Sequence, residues 1–121
     1  MAITLNGDAG VTAPTVSDSY GDLRKIDIVV LSGAFTATLA NLGSCLSING
    51  TLIIPLNVFS AGDYFYIYNR TGGEISYTPT PGVTIVRSGT TDVGTRPIAN
   101  YGFVQMVCIA SNSFVAFGNI N

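Results

Sequence analysis

The side chains that most often perform chemistry are sparse in this sequence. The chain contains no histidine, which is the commonest general base and a frequent metal ligand. Its absence excludes Ser-His-Asp and Cys-His nucleophilic arrangements. The acidic residues are scattered, and Asp63 and Glu74 flank one predicted turn. Two solvated carboxylates are the simpler interpretation of this pair, and the alternative is a glycosidase-like acid pair around a cleft.

Two cysteines offer thiol chemistry, but their spacing favours a structural role. Cys45 and Cys108 stand 63 positions apart, which matches neither a redox Cys-x-x-Cys motif nor zinc-ligand spacing. Both lie among apolar residues, so we predict buried thiols and leave a disulfide open as an alternative. The segment 7–10 lacks the acidic spacing of a calcium loop and the lysine of a phosphate loop. We therefore predict a protein that is not an enzyme, with no catalytic residue, cofactor or metal.

The composition points instead to contact with other protein chains. Charged residues make up 10% of the 121 positions and hydrophobic residues 47%, whereas an ordinary soluble domain has about 25% charged residues. A monomer normally stays soluble through a charged surface, so we expect much of this surface to be covered by other subunits. The net charge of −2 and the pI near 4.5 argue against a nucleic-acid partner, which would require a basic patch.

The N-terminal sequence carries no targeting signal that we can identify. Residues 1–7 lack the basic region and long apolar run of a signal peptide. No apolar stretch approaches the ~20 residues that span a bilayer. We therefore expect synthesis in a cytoplasm and no membrane partner.

The chain is organised around residues 62–88, where strand propensity is highest. The run from Tyr64 to Tyr68 is aromatic and β-branched, which is typical of a strand. Because side chains alternate along a strand, Phe65 and Ile67 are predicted to face the core. The opposite face would carry amphipathic rings suited to a subunit interface. These predicted interface residues are Tyr64, Tyr66 and Tyr68.

Turn residues divide the rest of the chain into short strands. Asn49-Gly50 is the strongest hairpin signal and is predicted to join strands at 45–48 and 51–56. Residues 69–73 are predicted to form a second hairpin, and the Pro-rich segment 79–82 a further turn. Together these turns predict an antiparallel β-meander.

The predicted architecture is all-β, with about eight or nine short strands in an antiparallel sandwich or jelly-roll-like domain at residues 23–121. In later strands, Val104 and Met106 are predicted to be core residues. Residues 1–22 are interrupted by Gly and Pro and are predicted to form an extended arm, with a frayed tail as the alternative. The arm's apolar residues, which would contact a capsid or neighbouring subunit, are Ile3, Leu5, Val11 and Val16.

Three stretches resemble modules of tailed-bacteriophage virion proteins. Residues 3–14 are similar to an N-terminal sequence motif of tail-fibre proteins; they read Ile-Thr-Leu-Asn-Gly-Asp-Ala-Gly-Val-Thr-Ala-Pro. Residues 62–73, followed by 81–85, resemble a hairpin of their β-modules, and residues 94–118 resemble the closing strands. Those modules typically carry a tryptophan in the last strand, where this chain has Phe114 and Phe117. The resemblance implies a trimeric, non-enzymatic virion component, made in the host bacterial cytoplasm.

Within that class, the inventory of segments favours a capsid decoration, or cement, protein. The chain has one domain's length and no coiled-coil or collagen-like shaft. Its expected partners are two further copies and the phage major capsid protein or another virion protein. The alternative is a tail-fibre or receptor-binding component whose tyrosines contact bacterial surface glycans. A small hydrolase is a third class, disfavoured because acid–base groups are missing.

Overall fold

A computed structural model describes residues 17–18, 21–22 and 25–121 of the chain. These residues form short strands joined by turns, and one 3-10 helix at Leu39–Asn41. The strands in chain order are β1 (Ser17–Asp18), β2 (Gly21–Asp22), β3 (Ile28–Val30), β4 (Phe35–Thr36), β5 (Cys45–Ile48), β6 (Leu52–Ile54), β7 (Tyr64–Asn69), β8 (Ile75–Pro79), β9 (Thr84–Arg87), β10 (Arg96–Ile98), β11 (Phe103–Ala110) and β12 (Ser113–Gly118).

Two sheets enclose the core. The larger has six strands in the order β3-β5-β7-β11-β12-β9, and the smaller has four in the order β10-β8-β6-β4. A separate pairing of β1 with β2 forms a two-stranded ribbon. The all-β prediction is confirmed at this level: strands dominate, and they are arranged in two packed sheets.

The first half of the fold winds between the two sheets. Each of β3, β5 and β7 lies in the six-stranded sheet, and the next strand in sequence, β4, β6 or β8, lies in the four-stranded sheet. Successive passes through each sheet are therefore parallel, with Ile28 beside Cys45 and Cys45 beside Tyr66. Parallel neighbours require a crossover connection, and here a strand of the opposite sheet supplies it.

The second half closes this winding with antiparallel strands. β11 pairs with β7 on one side and β12 on the other, and β10 pairs with β8. β9 adds to the sheet edge beside β12 in a parallel register. The Ser-Asn-Ser sequence of residues 111–113 predicts a turn, and one is present between β11 and β12, where Asn112 has a φ of 56°.

The predicted meander is wrong, because its turns connect different sheets. Residues 49–50 and 69–73 are corners between the six-stranded and four-stranded sheets, and so is the Pro-rich segment 79–82. At the first corner, Asn49 Oδ1 accepts a hydrogen bond of 2.8 Å from Gly33 N. A Cβ at Gly50 would lie 2.5 Å from the Gly33 carbonyl. Gly50 is thus required for close stacking of two corners, and not for a hairpin.

Two further predictions are wrong in the segments that contain β3 and β4. The largely alternating apolar residues of 22–31 predict one strand whose two faces become covered, but β3 spans Ile28–Val30, described residues 25–27 are not in a strand, and Ile28 and Val30 are 59% and 67% exposed. Residues 35–39 also alternate and predict a strand, with a helix over 34–42 as the alternative. β4 ends after Thr36, and Leu39 begins the 3-10 helix with its side chain exposed. β3 and β4 are edge strands of their sheets, and no strand of the described residues lies beyond them to cover their side chains.

The core lies between the inner faces of the two sheets. The predicted core residues Phe65, Ile67, Val104 and Met106 are all fully buried, which confirms their assignment. Phe59, from the segment before β7, packs against Phe65 with ring centroids 5.6 Å apart. The residues of the four-stranded sheet that complete this layer include Leu52, Ile54, Tyr77 and Ile98.

Candidate subunit-contact surface

The three predicted interface tyrosines lie on the outer face of the six-stranded sheet. They alternate with buried Phe65 and Ile67 along β7, as the sequence pattern predicts. The registers place β11 residues directly beside them: Phe103 opposite Tyr68 and Gln105 opposite Tyr66. We call this surface the aromatic face. Its residues in strand order are Ile28, Val30, Cys45, Ser47, Tyr64, Tyr66, Tyr68, Phe103, Gln105, Val107, Ser113, Val115, Phe117, Thr84 and Val86.

Aromatic rings form a continuous row across the centre of this face. Tyr66 stacks on Phe103 with a centroid distance of 5.4 Å and an interplanar angle of 28°. Tyr64 meets Tyr66 edge to face at 5.8 Å. Offset-stacked and edge-to-face pairs are the favourable aromatic geometries. The row is therefore held in a defined arrangement before any partner binds.

No charged residue occupies the strand positions that form the aromatic face. Charges stand beyond the strand ends: Asp63 precedes β7 and Arg70 follows it, and Asp27 precedes β3. Asp63 accepts a hydrogen bond of 2.9 Å from Ser60 N, and Arg70 donates from Nη1 to the Ser47 carbonyl and from Nη2 to Ser32 Oγ. This distribution, apolar at the centre with charges at the rim, is that of protein–protein interfaces.

The apolar side chains at the two sides of the aromatic face are the most exposed. Ile28 and Val30 belong to edge strand β3, and Phe117, on β12 toward the other side, is 67% exposed. Exposed apolar side chains gathered on one sheet face are a candidate interaction site. Sequence reasoning did not assign these residues to the tyrosine surface. The period-2 pattern of residues 103–109 contained the alternation, but the pairing of β11 with β7 was needed to place it.

A buried asparagine fixes the corner at which β7 leaves the aromatic face. Asn69 is fully buried, and its Nδ2 donates to the carbonyls of Gly73, Ala99 and Ile98 at 2.8, 3.0 and 3.3 Å. Its Oδ1 accepts from Thr71 N and Oγ1 at 2.9 and 2.8 Å. The sequence suggested a turn residue tolerant of positive φ, whereas its role here is side-chain hydrogen bonding.

The remaining candidate residues are placed apart from one another. Asp63 and Glu74 do not share a partner, since Glu74 accepts a hydrogen bond from Asn121 Nδ2. Cys45 and Cys108 are free and buried, on the outer and inner faces of the six-stranded sheet, and burial raises the pKa of both thiols. The disulfide alternative is not realised. The arm residues Ile3, Leu5, Val11 and Val16 lie outside the described residues.

Searches for other kinds of site give two findings about the described residues. Within residues 17–18, 21–22 and 25–121, no group of three or more His, Cys, Asp or Glu side chains could hold a metal ion. No helix in this part of the chain is long and apolar enough to cross a membrane.

Comparison with known proteins gives no match: no protein family, curated protein or solved structure is significantly similar to this chain.

Proposed function

We propose that this protein is a non-enzymatic structural component of a tailed-phage virion, a homotrimeric decoration or cement protein that stabilises the capsid. The observation that carries the assembly role is the charge-free aromatic face, which spans the six-stranded sheet. The phage assignment rests on the resemblance of residues 3–14, 62–73 and 94–118 to virion modules. A two-layer, sandwich-like or jelly-roll-like unit suits a protein whose task is to fasten neighbours together.

The layout of the aromatic face favours a closed three-fold ring over a two-fold dimer. Closed rings of three use two different patches on each subunit, whereas a two-fold dimer uses one patch twice. The most exposed apolar side chains of this face stand at two separate places, Ile28 and Val30 on β3 and Phe117 on β12. Three strands lie between β3 and β12, so these places are separated by four strand spacings, roughly 19 Å. Each patch would meet a different neighbour in the trimer.

The oligomeric state is the direct test. Sedimentation equilibrium of the purified chain should give a mass three times the 12.6 kDa of one chain, independent of concentration in the micromolar range. A stable monomer at those concentrations would contradict the assembly role, and a stable dimer would contradict the three-fold ring.

Location on the particle tests the decoration role separately. Antibodies raised against the purified chain should label the heads of virions encoded by the same genome, seen by immunogold electron microscopy. Labelling confined to tails would replace decoration with the tail-fibre function. Particles with no label on head or tail would contradict both.

The second candidate, a tail-fibre or receptor-binding component, is favoured by one observation. The stacked row of Tyr64, Tyr66 and Phe103 offers flat ring faces with polar hydroxyls beside them, which suits the apolar faces of sugar rings and their hydroxyl rims. Titration calorimetry with host surface polysaccharide should then show saturable binding that Tyr66→Ala weakens. The decoration role predicts no binding in this experiment, so the two functions are distinguished.

A further inference from the structure

Charged side chains close one open side of the two-sheet stack. β9 is an edge of the six-stranded sheet and β10 an edge of the four-stranded sheet. Arg87 alternates with buried Ile85, and Arg96 with buried Ile98, so both side chains start from inner faces. Asp92 joins the two edges: its Oδ2 lies 3.6 Å from Arg87 Nη1 and 3.8 Å from Arg96 Nη2.

The loop that carries Asp92 is held against β9 by main-chain and hydroxyl contacts. Arg87 N donates to the Asp92 carbonyl at 2.9 Å. Thr90 Oγ1 donates to the Arg87 carbonyl at 2.9 Å and accepts from Asp92 N at 3.0 Å. The carboxylate is therefore held beside the two guanidinium groups.

Two buried polar atoms have no hydrogen-bond partner, Tyr77 Oη and Arg96 Nε, and the second belongs to this ion group. Among the described residues, no other buried side-chain N or O atom lacks a partner. The two residues are register neighbours on β8 and β10, so their side chains leave the sheet side by side toward the interior. Arg96 Nη2 is already used, donating to the Asn121 main-chain oxygen at 2.7 Å.

Arg96 Nε requires an acceptor, and the Tyr77 hydroxyl can donate to the same one. A guanidinium N–H can only donate. Burial raises the pKa of Tyr77, although Arg96 and Arg87 act in the opposite direction, so its hydroxyl keeps its proton at neutral pH. Two guanidinium groups face a single side-chain carboxylate here. Buried donors left without an acceptor cost free energy of folding, so a bound acceptor would relieve both at once.

We propose that a small monovalent inorganic anion of the halide class binds between Tyr77 Oη and Arg96 Nε. Its single negative charge would accept both hydrogen bonds and offset the second guanidinium. A water molecule would accept the same bonds but would bring two hydrogens of its own beside cationic donors. This site lies between the two sheets, on the side of the six-stranded sheet opposite to the aromatic face. Its test therefore does not depend on the proposed function.

Crystallography with bromide tests the site directly on the unaltered chain. Crystals grown or soaked in sodium bromide should show an anomalous difference peak within hydrogen-bond distance of Tyr77 Oη and Arg96 Nε. Density without anomalous signal would identify water and overturn the proposal, as would direct contact between the two side chains with no intervening density.

Thermal unfolding supplies a second, solution measurement. If bromide binds with a Kd of about 10 mM, a concentration of 100 mM raises the folded-to-unfolded ratio about tenfold. This change corresponds to a Tm increase of roughly 5 °C. Tyr77→Phe removes the hydroxyl while keeping the ring and should lose most of this increase. Tyr101→Phe, at an exposed tyrosine, is the matched control and should respond like the wild type. Equal responses of wild type and Tyr77→Phe would contradict the proposal.

A third variant predicts a change in the opposite direction. Asp92→Asn removes the competing side-chain carboxylate and keeps its size, so bromide should bind more tightly and the Tm increase should grow. Because Asp92 is exposed, this variant should fold even if Tyr77→Phe does not. An unchanged or smaller bromide response in Asp92→Asn would overturn the electrostatic basis of the site.

Discussion

The outer faces of the two sheets differ in chemistry although neither carries charge on its strands. The aromatic face of the six-stranded sheet presents tyrosine, phenylalanine and branched aliphatic side chains. The outer face of the four-stranded sheet presents small or hydroxyl-bearing residues at most of the equivalent positions, which are Thr36, Ile53, Ser76, Thr78 and Pro97. Hydroxyl groups bond to water at little cost, whereas exposed aromatic and aliphatic area is unfavourable in water.

The proposed function assigns the aromatic face to protein contact and the outer face of the four-stranded sheet to solvent. A chain with 10% charged residues needs other groups that bind water, and the hydroxyl groups on the outer face of the four-stranded sheet provide them. In the proposed trimer, the same scarcity of charge would avoid like-charge repulsion between aromatic faces of identical subunits.

The largest expected effect separates the inner from the outer residues of one strand. Phe65→Ala should lower the free energy of unfolding by about 3–5 kcal/mol, because the ring is fully buried and its loss leaves a cavity. Tyr66→Ala, one position along β7 and facing outward, should cost clearly less. Urea unfolding at equal protein concentration measures both. Equal losses would mean that the two faces are not energetically distinct.

The next prediction compares a charge placed on each outer face. Phe117→Asp should weaken self-association by at least about 2 kcal/mol, roughly 30-fold in Kd, because it buries an unpaired carboxylate in the interface. Thr36→Asp on the four-stranded sheet is the matched control, at a position that is also exposed. Sedimentation velocity gives the mass, and circular dichroism confirms folding. If Thr36→Asp dissociates the oligomer and Phe117→Asp does not, the contact face has been misassigned.

Side-chain alternation made one level of this fold predictable from sequence. Period-2 patterns in β7 and β11 correctly separated buried Phe65 and Met106 from outward-facing Tyr66, because a strand between two environments must alternate. This local rule does not depend on which strands become neighbours. It therefore held even where the predicted pairing did not.

Strand pairing could not be predicted because turn residues report only local geometry. Asn49-Gly50 satisfies a sheet-to-sheet corner as well as a hairpin, and the decisive contact, with Gly33, comes from another coil. Asn69 likewise bonds carbonyls 29 and 30 positions away. The aromatic face arises only when β3, β5, β7, β11, β12 and β9 lie side by side, so most of the candidate site, beyond its three tyrosines, was invisible to patterns within a single strand.

A smaller effect is expected at the corner that joins the two sheets. Asn69→Ala removes the donor for three main-chain carbonyls and should destabilise the fold by about 1–3 kcal/mol. Because the corner sets how the sheets are offset, near-ultraviolet circular dichroism of the tyrosine row should also change. Asn100→Ala, at an exposed asparagine, should change neither stability nor spectrum. A neutral Asn69→Ala would show that the corner is held by main-chain contacts alone.

The smallest predicted effect uses the two thiols, which lie on opposite faces of the six-stranded sheet. Burial raises the pKa of Cys45 and of Cys108, and in Cys108 a main-chain hydrogen bond with Ala110 partly offsets this rise. Above the ordinary thiol pKa of about 8.5, the unfolded chain loses protons that the folded chain retains. Unfolding then releases protons, so stability that is complete below this pH is lost as the pH rises.

The loss per thiol is at most about 1.4 kcal/mol for each pH unit, measured by urea unfolding between pH 7.5 and 9.5. Cys108→Ala should reduce this slope in the monomer and in the assembly alike, because Cys108 faces the core. Cys45→Ala should reduce it as well, and by more in the assembled protein than in the Phe117→Asp background, where the aromatic face stays uncovered. Identical slopes for Cys45→Ala in the two backgrounds would argue that no partner covers the sheet at β5, and would confine the interface to the strands beyond it.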